Sequence, residues 1–151
     1  NIIKTCRKAL NYDFSKNTAL SSILSEFDKI CELRHCIAHA GSVLSGKNAA
    51  KLQISKHKGF ITIKVGYKEI QECLAICMTL VACFNTECFK VIAQRWAKEW
   101  LNLASWNPSN ETRLFKDVWH AFFSVIDSNN GDIEEPLSMV RCKNIVKKSF
   151  V

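Results

Sequence analysis

The residues best suited to chemistry lie in one short segment that carries an arginine and two histidines. They are Arg34, His35 and His39, and Gly41 follows two residues later. An imidazole titrates near neutral pH and can take or give a proton, whereas a guanidinium stays charged and can hold two phosphate oxygens. These side chains therefore predict proton transfer beside a negatively charged group, and we take Arg34, His35 and His39 as candidate catalytic residues.

A zinc site is the competing interpretation of the same segment. His35 and His39 are four residues apart, and Cys31 and Cys36 are close in sequence. The spacing is poor for zinc, because the chain has neither a His-Glu-x-x-His motif nor a Cys-x-x-Cys pair. We therefore expect neither a metal nor a cofactor.

The position of each side chain around a helix limits how the three can act together. His35 and His39 lie about 40° apart on an ideal helix, whereas Arg34 and His39 lie about 140° apart, which is poor for one shared site. Either the helix unwinds before Gly41 or a second copy of the chain completes the site. His35 either assists His39 or only maintains local geometry, and the two interpretations have equal weight.

Charge is unevenly distributed along the chain, whose formal net charge is +7. Residues 33–68 contain seven basic side chains and no acidic one, and a second acid-free run follows Glu135. Such segregation attracts a phosphate backbone, although a solvated lysine-rich loop explains the charge equally well. The lysines assigned to this candidate binding surface are Lys47, Lys51, Lys56 and Lys58.

Upstream, Asp28 and Glu32 either orient Arg34 or are ordinary exposed charges.

Residues 34–39 read Arg-His-Cys-Ile-Ala-His, and a small residue and a glycine follow them. This string resembles the RxxxxH motif of the HEPN superfamily of metal-independent ribonucleases, in which Asn, Asp or His usually follows the arginine. In that family the motif ends one helix of a four- or five-helix bundle, and the next long helix packs antiparallel to it. Residues 18–41, the lysine-rich loop and the helix from Tyr67 match this plan.

The resemblance implies an endoribonuclease that leaves a cyclic 2′,3′-phosphate and a 5′-hydroxyl, with Arg34 and His39 as its main catalytic residues. It also implies RNA as partner, a homodimer with two motifs face to face, and a prokaryotic defence or toxin–antitoxin setting. An antitoxin or regulatory domain is a further candidate partner. The alternative is a non-catalytic dimerisation or RNA-binding module of the same family. Retention of both Arg34 and His39 favours the enzyme.

Hydrophobic periodicity predicts the elements that position the motif. Apolar residues at intervals of three and four predict a helix over residues 18–41, with Asn17 or Thr18 as N-cap and Gly41 as its stop. Residues 41–46 are expected to form a loop. The other predicted elements are a short helix over 2–10, a polar connector over 11–17, a helical turn over 49–54, a strand over 60–65, a helix over 67–100 unless it breaks near Asn85, and a helix over 111–126.

Together these elements predict a mainly α fold, a HEPN-like helical bundle with one short extended or β segment. We assign residues 1–106 to the HEPN-like domain. Residues 107–151 are a C-terminal helical extension of the same unit or a fragment of a further region, and the last twenty residues do not favour one structure.

Composition favours a soluble cytoplasmic protein. Eight cysteines accompany only five glycines and two prolines, which suits reduced thiols in a helical core better than a disulfide scaffold. Cys73, Cys77 and Cys88 are expected in that core, as are Trp96 and Trp100, for which base stacking is the alternative. The apolar run 74–84 is short for a membrane span, so we expect no membrane contact. The start at Asn1 predicts a piece of a longer protein.

Overall fold

The computed structural model describes residues 2–54, 59–104, 106–124 and 137–150. This part of the chain is mainly helical with a small two-stranded antiparallel sheet, which confirms the predicted fold class. The helices are α1 (Ile2–Leu10), α2 (Thr18–His39), α3 (Gly46–Lys51), α4 (Tyr67–Lys98), α5 (Pro108–Phe122) and α6 (Met139–Phe150), the strands are β1 (Val43–Leu44) and β2 (Ile61–Thr62), and short 3-10 turns cover Phe14–Lys16 and Trp100–Asn102.

The helix that carries the motif begins where the sequence predicts and ends two residues before the predicted residue 41. The side chain of Asn17 accepts a hydrogen bond of 3.0 Å from the backbone N–H of Leu20, which satisfies one free donor of the first turn. At the other end Ala40 caps the helix, and Gly41 follows with a φ of 57°. Leu20 and Cys36 are fully buried, so both ends of α2 are anchored by packing.

A short antiparallel ribbon follows the motif helix. Val43 pairs with Thr62 and Leu44 pairs with Ile61. The strand predicted over residues 60–65 is therefore present but shorter. The prediction of a loop over residues 41–46 is wrong, because two of those residues pair with β2 across the intervening chain.

Helix α4 continues past Asn85 without a break and is 32 residues long. The expected core position of its apolar residues is confirmed for Cys88 and Trp96, which are buried. It is wrong for the first half, where Cys73 and Cys77 are only half-buried. Several large side chains of that half are 57–68% exposed, namely Ile70, Leu74, Met78 and Val81.

By length and composition α4 also qualifies as a helix that can cross a membrane, and 17% of its most apolar window is buried. The run of uninterrupted apolar residues is short, but a span tolerates a few polar residues within it. The expectation of no membrane contact stays a prediction.

Packing divides the chain into two units. One consists of Asp13–Phe84, and the other combines Asn1–Tyr12 with Asn85–Val151. These units do not follow the boundary suggested after residue 106, which stays a prediction.

The second unit contains a core shared by α4, α5 and α6. Its buried members are Ala93, Trp96, Ala97, Phe115, Val118, Cys142 and Val146. Trp96 meets Phe115 edge to face at 4.7 Å between ring centroids. Helix α5 begins earlier than predicted because Asn107 caps its first turn ahead of Pro108. It ends at Phe122, so the predicted extension to residue 126 is wrong. Helix α6 forms over Met139–Phe150, within the last twenty residues, for which the sequence did not favour one structure.

Candidate active site at the end of α2

Cys36 organises the end of the motif helix. Its carbonyl oxygen accepts hydrogen bonds from the backbone N–H groups of Ala40 and Ser42, at 2.9 and 3.2 Å. Its buried Sγ accepts a hydrogen bond of 2.7 Å from Nδ2 of Asn48 on α3. The last turn of α2 is therefore hydrogen-bonded to α3, which holds the motif end of α2 in place.

The chain then turns sharply through two residues with positive φ. Gly41 has a φ of 57° and Ser42 a φ of 66°. The N–H of Val43 donates to Ala40 O at 3.0 Å, and the N–H of Ile63 donates to Ser42 O at 2.8 Å. Gly41 suits the left-handed conformation because it lacks a Cβ. The turn thus binds the motif end of α2 to the ribbon.

His35 and His39 form an exposed pair on the final turns of α2. Their ring centroids are 4.9 Å apart, and the ring planes are inclined by 48°. Both residues are exposed to solvent. The structure therefore brings together the two candidate proton-transfer groups, where a substrate can reach them.

Arg34 does not join this pair. It is exposed, and α2 remains helical through His39. The predicted angle of about 140° between Arg34 and His39 therefore applies. Unwinding of the helix before Gly41, one of the two alternatives above, is wrong because the helix ends only at Ala40. A single chain presents the guanidinium and the His39 imidazole on different faces.

Of the two carboxylates upstream of the motif, Glu32 has a partner other than Arg34. Glu32 forms an ion pair with Lys51 of α3, not with Arg34. A surface cleft of about 400 Å³ contains both of these side chains, together with Asp28, Lys29 and Cys31. The charge around Lys51 is therefore mixed, although the sequence near Lys51 contains no acid.

Of the four lysines assigned to phosphate binding, Lys47 and Lys51 are exposed on α3. Lys56 and Lys58 lie outside the described residues. The side chain of Lys51 is 52% exposed even though it pairs with Glu32. Among the described lysines of this set, Lys47 therefore faces solvent and Lys51 forms an ion pair.

Cysteines and histidines do not gather into a metal centre in the described part of the chain, where no group of three or more His, Cys, Asp or Glu side chains has suitable geometry. All eight cysteines are free thiols. Burial raises the pKa of the Cys142 thiol, and burial with the nearby Cys6 and Glu87 raises that of Cys88. A raised pKa keeps a thiol protonated and poorly nucleophilic, so neither residue is a candidate nucleophile.

Three of the four tryptophans belong to the packed core. Trp96 is 2% exposed, and Trp100 and Trp119 pack against the same core. Asn48, whose amide donates to the buried Cys36, was not predicted from the sequence. The local signal was Ser45, the N-cap of α3, whose hydroxyl accepts from the Asn48 N–H at 3.3 Å. That signal predicts a helix start but not the contact with Cys36.

No protein-family model, curated protein or solved structure matches this chain.

Proposed function

We propose that this protein is a metal-independent endoribonuclease of HEPN type, acting on RNA in the cytoplasm as an effector or toxin of a prokaryotic defence system. The observation that carries the proposal is the exposed His35–His39 pair on the fixed end of α2. The adjacent Arg34 and the exposed Lys47 supply positive charge on neighbouring elements. Two imidazoles and a guanidinium are sufficient for RNA cleavage without a metal.

The chemistry is an internal transfer at phosphorus. His39 takes the proton of the ribose 2′-hydroxyl, and the 2′-oxygen forms a new bond to phosphorus. The bond from phosphorus to the 5′-oxygen breaks, and that oxygen receives the proton from the His39 imidazolium. The products are a 2′,3′-cyclic phosphate and a 5′-hydroxyl. Arg34 stabilises the negative charge that builds on the non-bridging oxygens.

His35 is the group in contact with His39 that can support this exchange. Its ring centroid lies 4.9 Å from that of His39. We assign His35 a supporting role, either binding phosphate or orienting His39.

A homodimer is part of the proposal because one chain presents Arg34 away from His39. In a twofold assembly each site takes the arginine of one copy and the histidine of the other. An antitoxin or regulatory domain would restrain this site by covering the exposed end of α2.

The direct test of the reaction class uses a short labelled RNA and the same strand with 2′-deoxyribose at the cleaved position. The protein is expected to cut the RNA in EDTA, leave a cyclic phosphate, and spare the 2′-deoxy position. Cleavage of the 2′-deoxy strand at the same bond would contradict the mechanism, because that strand lacks the attacking oxygen.

A further inference from the structure

The first half of α4 carries a row of large apolar side chains that face solvent. Their spacing of three and four residues places them along one side of the helix. We call this row the apolar face; it consists of Tyr67 (77% exposed), Ile70 (57%), Leu74 (58%), Met78 (64%) and Val81 (68%). A contiguous surface of this kind on a protein usually marks a site of interaction.

The polar atoms beside the apolar face are already paired within the helix. The hydroxyl of Thr79 donates to Ala75 O at 2.8 Å, and Nε2 of Gln71 donates to the hydroxyl of Tyr67 at 3.0 Å. Residues 73–86 contain no charged side chain. Covering this surface therefore leaves few polar groups without a partner, which lowers the cost of removing water from it.

We propose that the apolar face is the contact between two copies of this chain. A twofold contact requires a surface that is complementary to itself. The large side chains Leu74, Met78 and Val81 lie directly beside a row of small ones, Ala75, Thr79 and Ala82, so the ridge of one copy fits the shallow row of the other.

The size of the surface suits a partner of this kind. At more than half exposure each, the five large side chains present on the order of 500 Å² of apolar surface, against about 800 Å² per partner in a standard interface. The small residues beside them add to this area. Phe60 and Val65, exposed by 92% and 49%, lie in the segment that leads into α4.

A bilayer is a poorer occupant. The charge-free residues 73–86 span about 21 Å along the helix, whereas the hydrocarbon core of a bilayer is about 30 Å thick. Extending the span at either end brings in Glu72 or Glu87. The side of α4 away from the apolar face is half-buried, including Cys73, Cys77 and Leu80, so the exposure is one-sided.

The apolar face also begins near the candidate site, a step that rests on the proposed function. Ile63, four residues before α4, is hydrogen-bonded to Ser42, three residues after His39. The N-terminal end of α4 and the motif end of α2 are thus joined through the ribbon. Pairing of two copies near Tyr67 would bring their motifs toward each other.

The experiment is sedimentation of the chain with carboxylates placed on the apolar face. The variant is Leu74→Glu with Val81→Glu, and the matched control is Val140→Glu, whose site on α6 is 53% exposed. Wild type and control should be dimers at about 10 µM, and the double variant a monomer with an unchanged helical circular dichroism spectrum. If the double variant loses helix, the milder Leu74→Gln and Val81→Gln variants replace it.

A wild-type monomer at about 100 µM, or a dimer that survives these substitutions, would overturn the proposal. Flotation of the wild type with phosphatidylcholine vesicles, lost in the double variant, would also overturn it, because lipid would then occupy the face. RNA cleavage is measured in parallel. A dimer that does not cut RNA would refute the nuclease and leave this interface standing.

Discussion

At the scale of single residues, the proposed chemistry depends on side chains that are accessible to solvent. His35, His39 and Arg34 are all exposed, and the histidines are in ring contact. The buried residues nearby, Cys36 and Asn48, hold the helix end. The candidate catalytic side chains and the side chains that hold the helix end are therefore different. Substituting an exposed one tests its role in cleavage without removing a buried contact.

Arg34→Ala is expected to lower the cleavage rate by about a hundredfold or more, because the charge on the phosphorane loses its partner. Arg34→Lys should recover only part of this, since an ammonium cannot hold two oxygens at once. His35→Ala should lose less than Arg34→Ala if its role is supporting. Single-turnover cleavage of a labelled RNA measures all three. A larger loss for His35→Ala than for Arg34→Ala would reverse the assigned roles.

At the scale of elements, the turn after α2 holds the motif end of that helix against the ribbon. Gly41 adopts a φ of 57°, and no atom lies within 4 Å of a Cβ placed there, so the cost of a side chain is one of backbone conformation. Gly41→Ala should destabilise the fold by about 1 kcal/mol.

The matched control for that substitution is Gly46→Ala. Gly46 begins α3, also has open space around a Cβ, and does not have a positive φ in the left-handed range. Urea unfolding of the two variants compares them directly. Equal stability of both variants would show that the turn does not require glycine.

Local signals made much of α2 and α5 predictable from sequence. Asn17 and Gly41 bound α2, whereas the predicted start of α5 at residue 111 comes three residues after its observed start at Pro108. Of the two strands of the ribbon, only β2 was predicted. Strand β1 is two residues long and is defined by its pairing with Ile61 and Thr62. Such pairing joins residues that are distant in the chain, and local pattern does not record it.

For the candidate site too, local geometry was predictable from the sequence and long-range contacts were not. The angle between Arg34 and His39 follows from helix geometry alone. The ion pair of Glu32 with Lys51 joins residues 19 positions apart and depends on how the chain folds back after α2. The exposure of Leu74 and its neighbours was also out of reach, because periodicity shows that a face is apolar but not what covers it.

At the scale of the whole molecule, the net charge of +7 predicts binding to RNA that weakens with salt. Changing Lys47, Lys51, Lys56 and Lys58 together to Gln should weaken binding and reduce the salt slope without changing sequence preference, because phosphate contacts position the strand. The control changes four exposed lysines elsewhere, Lys90, Lys98, Lys116 and Lys148. Affinity that is flat between low and physiological salt would mean that these lysines only aid solubility.

Assembly makes a separate prediction at this scale. Inactive Arg34→Ala and His39→Ala proteins, refolded together, should regain activity, since a mixed dimer contains one site with an intact arginine and histidine. With random pairing the recovered rate is at most about a quarter of the wild-type rate. Full activity in a strict monomer would contradict the shared site.

The most direct measurement of the central claim is the rate at which the protein degrades total RNA in EDTA, with His39→Ala compared with wild type. His120→Ala is the matched control, because His120 is an exposed histidine on α5. We predict that wild type and His120→Ala cut RNA at the same rate, and that His39→Ala is slower by about a hundredfold or more because it lacks the proton-transfer group. A His39→Ala protein that cuts at the wild-type rate would contradict the proposed active site.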